Sequence, residues 1–251
     1  MALQLKKSLG QHFLRDDNIC RNIVTALQER PFSQLLEVGP GGGALTKHLL
    51  QLPAISFKGV EVDTEKVHYL LATYPQLHGS LLHQSFLDVD PPFEGPFSIV
   101  GNFPYNISSQ ILFKVLDWKE QVECVVGMFQ KEVAQRVAAP PGSKVYGVTS
   151  VLVQAFYSVE YLFDVPPGCF NPPPKVMSSV IRLLPSSTTP AMRSHRHFRL
   201  LVKTAFNQRR KQLRNAVKPL FSAAELADPL FAKRAEQLSV HDFAGLTFRM
   251  Q

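Results

Sequence analysis

The sequence predicts an α/β fold built on a parallel sheet, followed by a small, basic, all-helical domain. Three observations lead there. Short apolar strand patterns alternate with amphipathic helical ones through residue 138, a glycine-rich turn joins the first strand to its helix, and the charge changes near residue 185. The 251 residues carry 27 Lys and Arg against 20 Asp and Glu, a formal charge of +7. Residues 185–251 hold twelve basic and four acidic side chains, whereas residues 1–184 hold fifteen and sixteen. A near-neutral body of 1–184 with a basic appendage of 185–251 suggests a polyanionic partner, nucleic acid ahead of membrane.

The elements follow in order. Asp16, Asp17 and Asn18 can cap a helix to Arg30, with Ile19, Ile23, Val24 and Leu27 on one face. Gln34–Val38 is a short buried strand, and a helical run from Ala44 to Leu52 follows the glycine turn. Ser56–Val62 is a strand, with a helix beginning near Thr64. Further strands are expected at Phe97–Gly101 and Val122–Phe129, with helices at Ile107–Leu116 and Lys131–Ala138. Beyond Val159 the alternation stops. Tyr161–Val165 and Val176–Leu184 flank a proline-dense loop without a helix between them, which predicts an antiparallel edge to the sheet. Pro185–Pro190 reads as a linker, and helical patterns recur at Phe198–Phe206, Gln212–Val217 and Phe231–Leu238.

Several classes are excluded. With 45% apolar residues the chain can bury a core, so global disorder is not expected. No apolar run approaches the roughly 18 residues of a membrane span, and the N-terminus lacks the pattern of a secretory leader. Cys20, Cys124 and Cys169 are far apart and form no metal-binding pair, so neither a disulfide framework nor a metal site is expected, and a cytoplasmic location fits.

The glycine turn carries the first functional signal. Glycines at 39, 41, 42 and 43 lie between a strand and a helix, where the absence of a Cβ lets a ligand approach the backbone. Glu61, at the end of the next strand, is placed to accept hydrogen bonds from both hydroxyls of a ribose. Together they point to an adenosine-containing ligand at the C-terminal edge of the sheet. A dinucleotide and S-adenosylmethionine both remain open at this point; the sulfonium of the latter tolerates an acid such as Glu37 near the loop.

The second signal is Asn102-Phe103-Pro104-Tyr105, after the strand at 97–101. The lone pair of an adenine N6 is conjugated with its ring. A side-chain carbonyl (Asn102) and a main-chain carbonyl (Phe103) that each accept one N–H would turn that nitrogen toward tetrahedral geometry and aim it at a methyl donor. Pro104 fixes the chain, and Tyr105 offers a flat face for an extruded base. This selects S-adenosylmethionine over a dinucleotide.

Seven ordered motifs resemble one family. They are Ser8-Leu-Gly-Gln-His-Phe-Leu14, Glu37–Gly43, Glu61-Val-Asp63, Asn102–Ser109, Phe129–Arg136, Gly142–Gly147 and Phe170–Val180. The chain resembles the small-subunit (16S) ribosomal RNA adenine N6,N6-dimethyltransferases, called KsgA or RsmA in bacteria. The resemblance implies a Rossmann-like, seven-stranded class I methyltransferase domain with a small helical C-terminal domain. It implies methyl transfer from S-adenosylmethionine to adenine N6 near the 3′ end of small-subunit ribosomal RNA, in a pre-30S particle, with no need for more than a monomer. His12 and Leu14 would line the methionine end of the cofactor, Gly39 and Gly41 would approach its backbone, and Glu61 would hold its ribose. Asn102 and Pro104 would form the transfer site, and Tyr105 and Phe170 would sandwich the adenine. Ser85 stands where the family usually has an acid for the cofactor's adenine amine, so adenine recognition is expected to be weaker or differently anchored.

The alternatives are the macrolide-resistance type of large-subunit dimethyltransferase and a non-catalytic RNA-binding assembly factor. Gln130–Arg136 and the Gly142–Gly147 loop favour the small-subunit branch. RNA binding is expected of Arg199, Lys203, Arg209, Arg210, Lys211, Arg214 and Lys218, several of which follow four- and seven-residue steps, with Asn207-Gln208 a potential break between two helices.

Overall fold

The computed structural model describes residues 12–251; Ser8–Gln11 of the first motif lie outside the described residues. A two-residue strand, β1 (Phe13–Leu14), precedes α1 (Asp17–Gln28). The Asp16 carboxylate caps α1 by accepting from the Asn18 and Ile19 amides. Its buried face, Cys20, Ile23, Val24, Ala26 and Leu27, recurs at helical spacing. Then follow β2 (Gln34–Val38), α2 (Thr46–Leu49), β3 (Ser56–Glu61), α3 (Thr64–Thr73), β4 (Leu81–His83), β5 (Phe97–Asn102), α4 (Ser108–Asp117), β6 (Val122–Gln130) and α5 (Lys131–Ala138). The remainder comprises α6 (Val148–Gln154), β7 (Tyr157–Val165), β8 (Phe170–Asn171), β9 (Ser178–Pro185), α7 (His195–Phe206), α8 (Leu213–Val217), α9 (Ala223–Leu226) and α10 (Val240–Leu246).

The seven-stranded sheet has the order β4-β3-β2-β5-β6-β9-β7. Strands β2 to β6 pair in parallel. The chain runs outward from β2 to β4, then crosses back so that β5 pairs with β2. That reversal opens a crevice beyond the C-terminal ends of β2 and β5, where the glycine turn and the Asn-Phe-Pro-Tyr turn begin.

Strand β9 is antiparallel to β6 and, with β7 outside it, closes the sheet at the antiparallel edge expected from sequence. It inserts between β6 and β7 because Ser178–Leu183 are all buried, whereas β7 alternates with exposed positions and suits the rim. Two differences concern helices. The run expected over Ala44–Leu52 is regular only at Thr46–Leu49, and three-residue turns finish it before Pro53. The helix expected over Phe231–Leu238 is two 3₁₀ turns, Pro229–Ala232 and Ala235–Gln237. Lys233 and Arg234 between them are extended, and the Lys233 carbonyl accepts from the Leu213 amide. Apolar spacing alone does not register that competing bond.

The chain divides into two compact units. One comprises the residues up to Ala134 with Val159–Pro185, the other Gln135–Ser158 with Ser186–Gln251. The charge break marks the start of the long segment of the second unit, but Gln135–Ser158 belong there too. The reason is apolar: Val151, Leu152 and Val153 of α6 are buried, and α6 packs on α7 and α10. Tyr146 adds a buried ring edge-on to Phe206, 6.2 Å between centroids.

In the first unit, one packing detail sets the position of the Asn-Phe-Pro-Tyr turn. Gly101 of β5 and Gly127 of β6 are cross-strand partners. A Cβ on Gly101 would lie 2.7 Å from the Phe103 ring, and one on Gly127 would collide with the same ring. The two bare positions form a slot in which Phe103 is 1% exposed and edge-on to Phe129 at 5.0 Å. Gly127→Ala should therefore lose about 1–3 kcal/mol in urea unfolding through overpacking. Gly168→Ala, where a Cβ meets nothing within 4 Å, is the control; equal midpoints for the two variants would remove the slot as a constraint.

Candidate active site

The crevice at the strand reversal is a cavity of about 440 Å³. Its wall is built from the ends of β2, β3 and β5, from β1, and from Gln84–Leu87 after β4. The glycine turn needs its glycines at defined places: Gly39, Gly41 and Gly43 have φ of +69°, +56° and +79°. Phe13 lies over the turn, 3.2 Å from where a Cβ on Gly41 would be, and the buried ammonium of Lys66 is 5.2 Å from the centre of the Phe13 ring. Phe13 lines the cavity beside His12 and Leu14. Its role was hidden in the sequence because it looked like one apolar residue in a motif.

Glu61 is 5% exposed and held by three main-chain donors. Its Oε2 accepts from the Gly41 amide at 3.0 Å, and its Oε1 from the Val62 and Asp63 amides at 2.9 Å each. The carboxylate is thus aimed by the loop it serves, with lone pairs remaining for hydroxyl donors. Glu37, also on the wall, is 1% exposed and accepts from the Thr46 hydroxyl at 2.7 Å. Burial, with a further push from Glu61, raises its carboxyl to about 8. Ser85 is on the wall as expected, but its hydroxyl oxygen accepts from the Leu87 amide at 3.2 Å. Gln84, which the sequence did not single out, stands next to it on the wall.

The Asn102 side chain donates from Nδ2 to the His12 carbonyl at 2.9 Å. With its amino group so engaged, the side chain offers a ligand its carbonyl oxygen. The next turn is closed by Ser108, whose hydroxyl lies 3.2 Å from the Pro104 carbonyl and 3.1 Å from that of Tyr105. The Tyr105 hydroxyl is 2.5 Å from the Ser178 hydroxyl, and desolvation raises its pKa.

The Tyr105 ring lies against that of His12. The two rings stack at 5.5 Å with 29° between planes, and His12 Nδ1 is 3.0 Å from the Pro172 carbonyl. Phe170 is 1% exposed and packs in the core with Leu14, Val165 and Val180. It reaches the site through its backbone: β1 and β8 pair antiparallel, Leu14 opposite Phe170 and Phe13 opposite Asn171. That short ribbon pins His12–Leu14 against the cavity, a long-range pairing that no local pattern announces.

The residues expected to bind RNA all fall in the second unit. Arg199 and Lys203 are exposed on α7, and the chain breaks at 207–212 before α8, so these residues do not form a single helical stripe. Arg210, Lys211 and Lys218 are exposed. Arg209 is half-buried and donates to the Lys144 carbonyl, tying down the Gly142–Gly147 loop. Arg214 is half-buried too, and its Nε is buried without a hydrogen-bond partner among the described residues. Exposed Lys233 and Arg234 join this surface through the bond between Leu213 and Lys233.

Comparison with known proteins accords with this geometry. A model of the family described as ribosomal RNA adenine dimethylase matches residues 2–247. "Ribosomal RNA small subunit methyltransferase A" of Cytophaga hutchinsonii is 50% identical, over 98% of this chain and 96% of that protein. The protein of the same name from Phocaeicola vulgatus is 49% identical, over 98% and 89%. Among solved structures, a dimethyladenosine transferase from Plasmodium falciparum superposes with a TM-score of 0.76 at 24% identity, covering 92% of this chain and 94% of that one. The 23S rRNA methyltransferase ErmE gives 0.71 at 22%, covering 95% and 99%. These two likenesses establish the fold, a seven-stranded class I methyltransferase sheet, and the sequence match establishes the family: the chain belongs to the ribosomal RNA adenine dimethylases.

Proposed function

We propose that this protein dimethylates adenine N6 in small-subunit ribosomal RNA with S-adenosylmethionine as methyl donor. The observation that carries the reading is Asn102. Its Nδ2 is fixed on the His12 carbonyl, so an acceptor oxygen stands on the wall of the same cavity that holds the glycine turn and Glu61. The donor set fits the cofactor: positive-φ glycines that admit a ligand to the backbone, a loop-anchored carboxylate for a ribose, and an apolar rim from Phe13, Leu14 and Leu87.

S-adenosylmethionine supplies, when bound, a methyl group on a positively charged sulfur. The remaining work is positioning. Gly39 and Gly41 admit the cofactor to the loop, Glu61 accepts from its ribose, and His12, Leu14 and Ser85 complete the wall. The Asn102 carbonyl and the Phe103 main-chain carbonyl accept the two N–H groups of the target amine, orienting its lone pair and stabilising the charge that grows on nitrogen. Pro104 holds that turn, and Tyr105 stacks on the base. A sandwich with Phe170 requires that ring to leave the core. The exposed cations Arg199, Lys203, Arg210, Lys211 and Lys218 bind phosphates, Arg209 shapes the neighbouring loop, and Arg214 sits behind them. The substrate in this reading is a pre-30S particle met by a monomer in the cytoplasm. Among the described residues, no helix is long and apolar enough to cross a membrane.

Asn102→Ala should abolish tritium transfer from labelled cofactor to undermethylated small-subunit particles while leaving cofactor binding measurable; full turnover would refute the assigned role. Ser85→Asp should tighten cofactor binding in calorimetry, by up to about tenfold if a charge-assisted hydrogen bond replaces a neutral one, and a loosening would sink that idea. Reversing the charges of Arg210 and Lys211 should flatten the salt slope of RNA binding by roughly 0.7–0.9 for each phosphate that is no longer neutralised. An unchanged slope would place the RNA elsewhere.

A further inference from the structure

Ser178 is fully buried and opens β9, opposite Gln130 in the pairing with β6. A hydroxyl shut away from water costs free energy unless it is hydrogen-bonded. The partner of this one lies 73 residues away in the chain: the Tyr105 hydroxyl, at 2.5 Å. Ser179, equally buried, points to the other side of the strand. There its hydroxyl meets Asp164 Oδ1 at 2.7 Å and the Tyr161 hydroxyl at 2.6 Å. The two serines serve different neighbours, and of those neighbours Tyr105 is the one on the cavity wall. Further along β9, Val180, Ile181 and Leu183 fill buried positions with apolar side chains, so burial alone does not call for a hydroxyl at 178.

Tyr105 lines the cavity together with Asn102, three residues before it. Its main chain is held by Ser108, whose hydroxyl donates to the Tyr105 carbonyl at 3.1 Å, and its ring is flanked by His12 at 5.5 Å. Neither contact fixes the far end of the ring. The Ser178 bond does, by tying the phenol to a strand that lies between β6 and β7, so that the ring cannot swing about χ1. Desolvation raises the phenol's pKa, and the link therefore joins two neutral hydroxyls.

We propose that Ser178 is a positioning residue for methyl transfer: its hydroxyl holds the Tyr105 ring where the target adenine stacks, and so sets the approach of the adenine amine to the Asn102 carbonyl. The proposal rests on the stacking role given to Tyr105 above. Ser178 acts through Tyr105 and is not itself on the cavity wall. Its loss leaves the glycine turn, Glu61 and the exposed cations as they are, and falls on turnover rather than on binding.

The test is steady-state tritium transfer to undermethylated small-subunit particles, with cofactor affinity read by calorimetry. Ser178→Ala and Tyr105→Phe each remove one hydroxyl of the pair. Both should lower kcat by about 10- to 100-fold, with the KM for particles and the cofactor affinity unchanged. The double variant should lose no more than either single one, because all three lack the same bond. Ser179→Ala should keep wild-type turnover. Tyr105→Phe alters a half-buried ring and carries the test if Ser178→Ala does not fold. Wild-type kcat in either folded single variant overturns the proposal, as do losses that multiply in the double variant, a loss confined to KM, or an equal loss in Ser179→Ala. Tyr105→Ala separates the two readings. If it abolishes turnover while Tyr105→Phe leaves kcat at the wild-type value, the stacking role stands and the Ser178 role falls; if Tyr105→Ala turns over like wild type, both fall.

Discussion

The Phe103 ring seated over Gly101 and Gly127 is the constraint on which the site depends. Strand pairing sets two positions without a Cβ side by side, and the ring fills the space between the two backbones. Because successive strand residues point to opposite sides, burying Phe103 leaves Asn102 facing the cavity. Pro104 and the Ser108 hydroxyl then close the turn so that Tyr105 lines the same space. A side chain of ordinary size at either glycine would lift the turn, and with it the acceptor oxygen. The identity of residue 103 thus matters for its ring.

Two acids share the cavity but are solvated differently. Glu61 is surrounded by amides of its own strand end and of the glycine turn, and these hold it in register with the loop. Glu37, one strand inward, has Thr46 as its partner and an acid for a neighbour. Low polarity and a like charge favour its neutral form. One carboxylate is held by main-chain amides of the loop, the other is shut away with Thr46. Strands β2 and β3 produce the pair simply by ending together, since Val38 is opposite Val60 in their parallel register.

The basic unit follows another logic. Its core is aromatic and aliphatic, with Phe198, Leu201, Phe231 and Phe243 at 1% exposure or less. The cations are displayed from helix α7, from the turn after it and from the extended Lys233–Arg234 segment. Not all of them face solvent. Arg209 holds a loop and Arg214 lies half-buried, so charge count overstates the number available to phosphates.

Sequence alone determined the alternation of strands and helices, the acid cap of α1, the glycine turn, Glu61 and the Asn-Phe-Pro-Tyr turn. Each is written in a contiguous stretch, by period or by residues whose backbone demands are local. The tertiary structure decided what depends on partners distant in the chain. It placed β9 inside the sheet, moved residues 135–158 into the basic unit, and paired β1 with β8 so that His12 stacks on Tyr105. It also buried the Glu37 carboxyl of β2 between the Thr46 hydroxyl of α2 and Glu61 of β3, which raises its pKa. Burial and pairing across the chain are properties of packing, and no window of residues contains them.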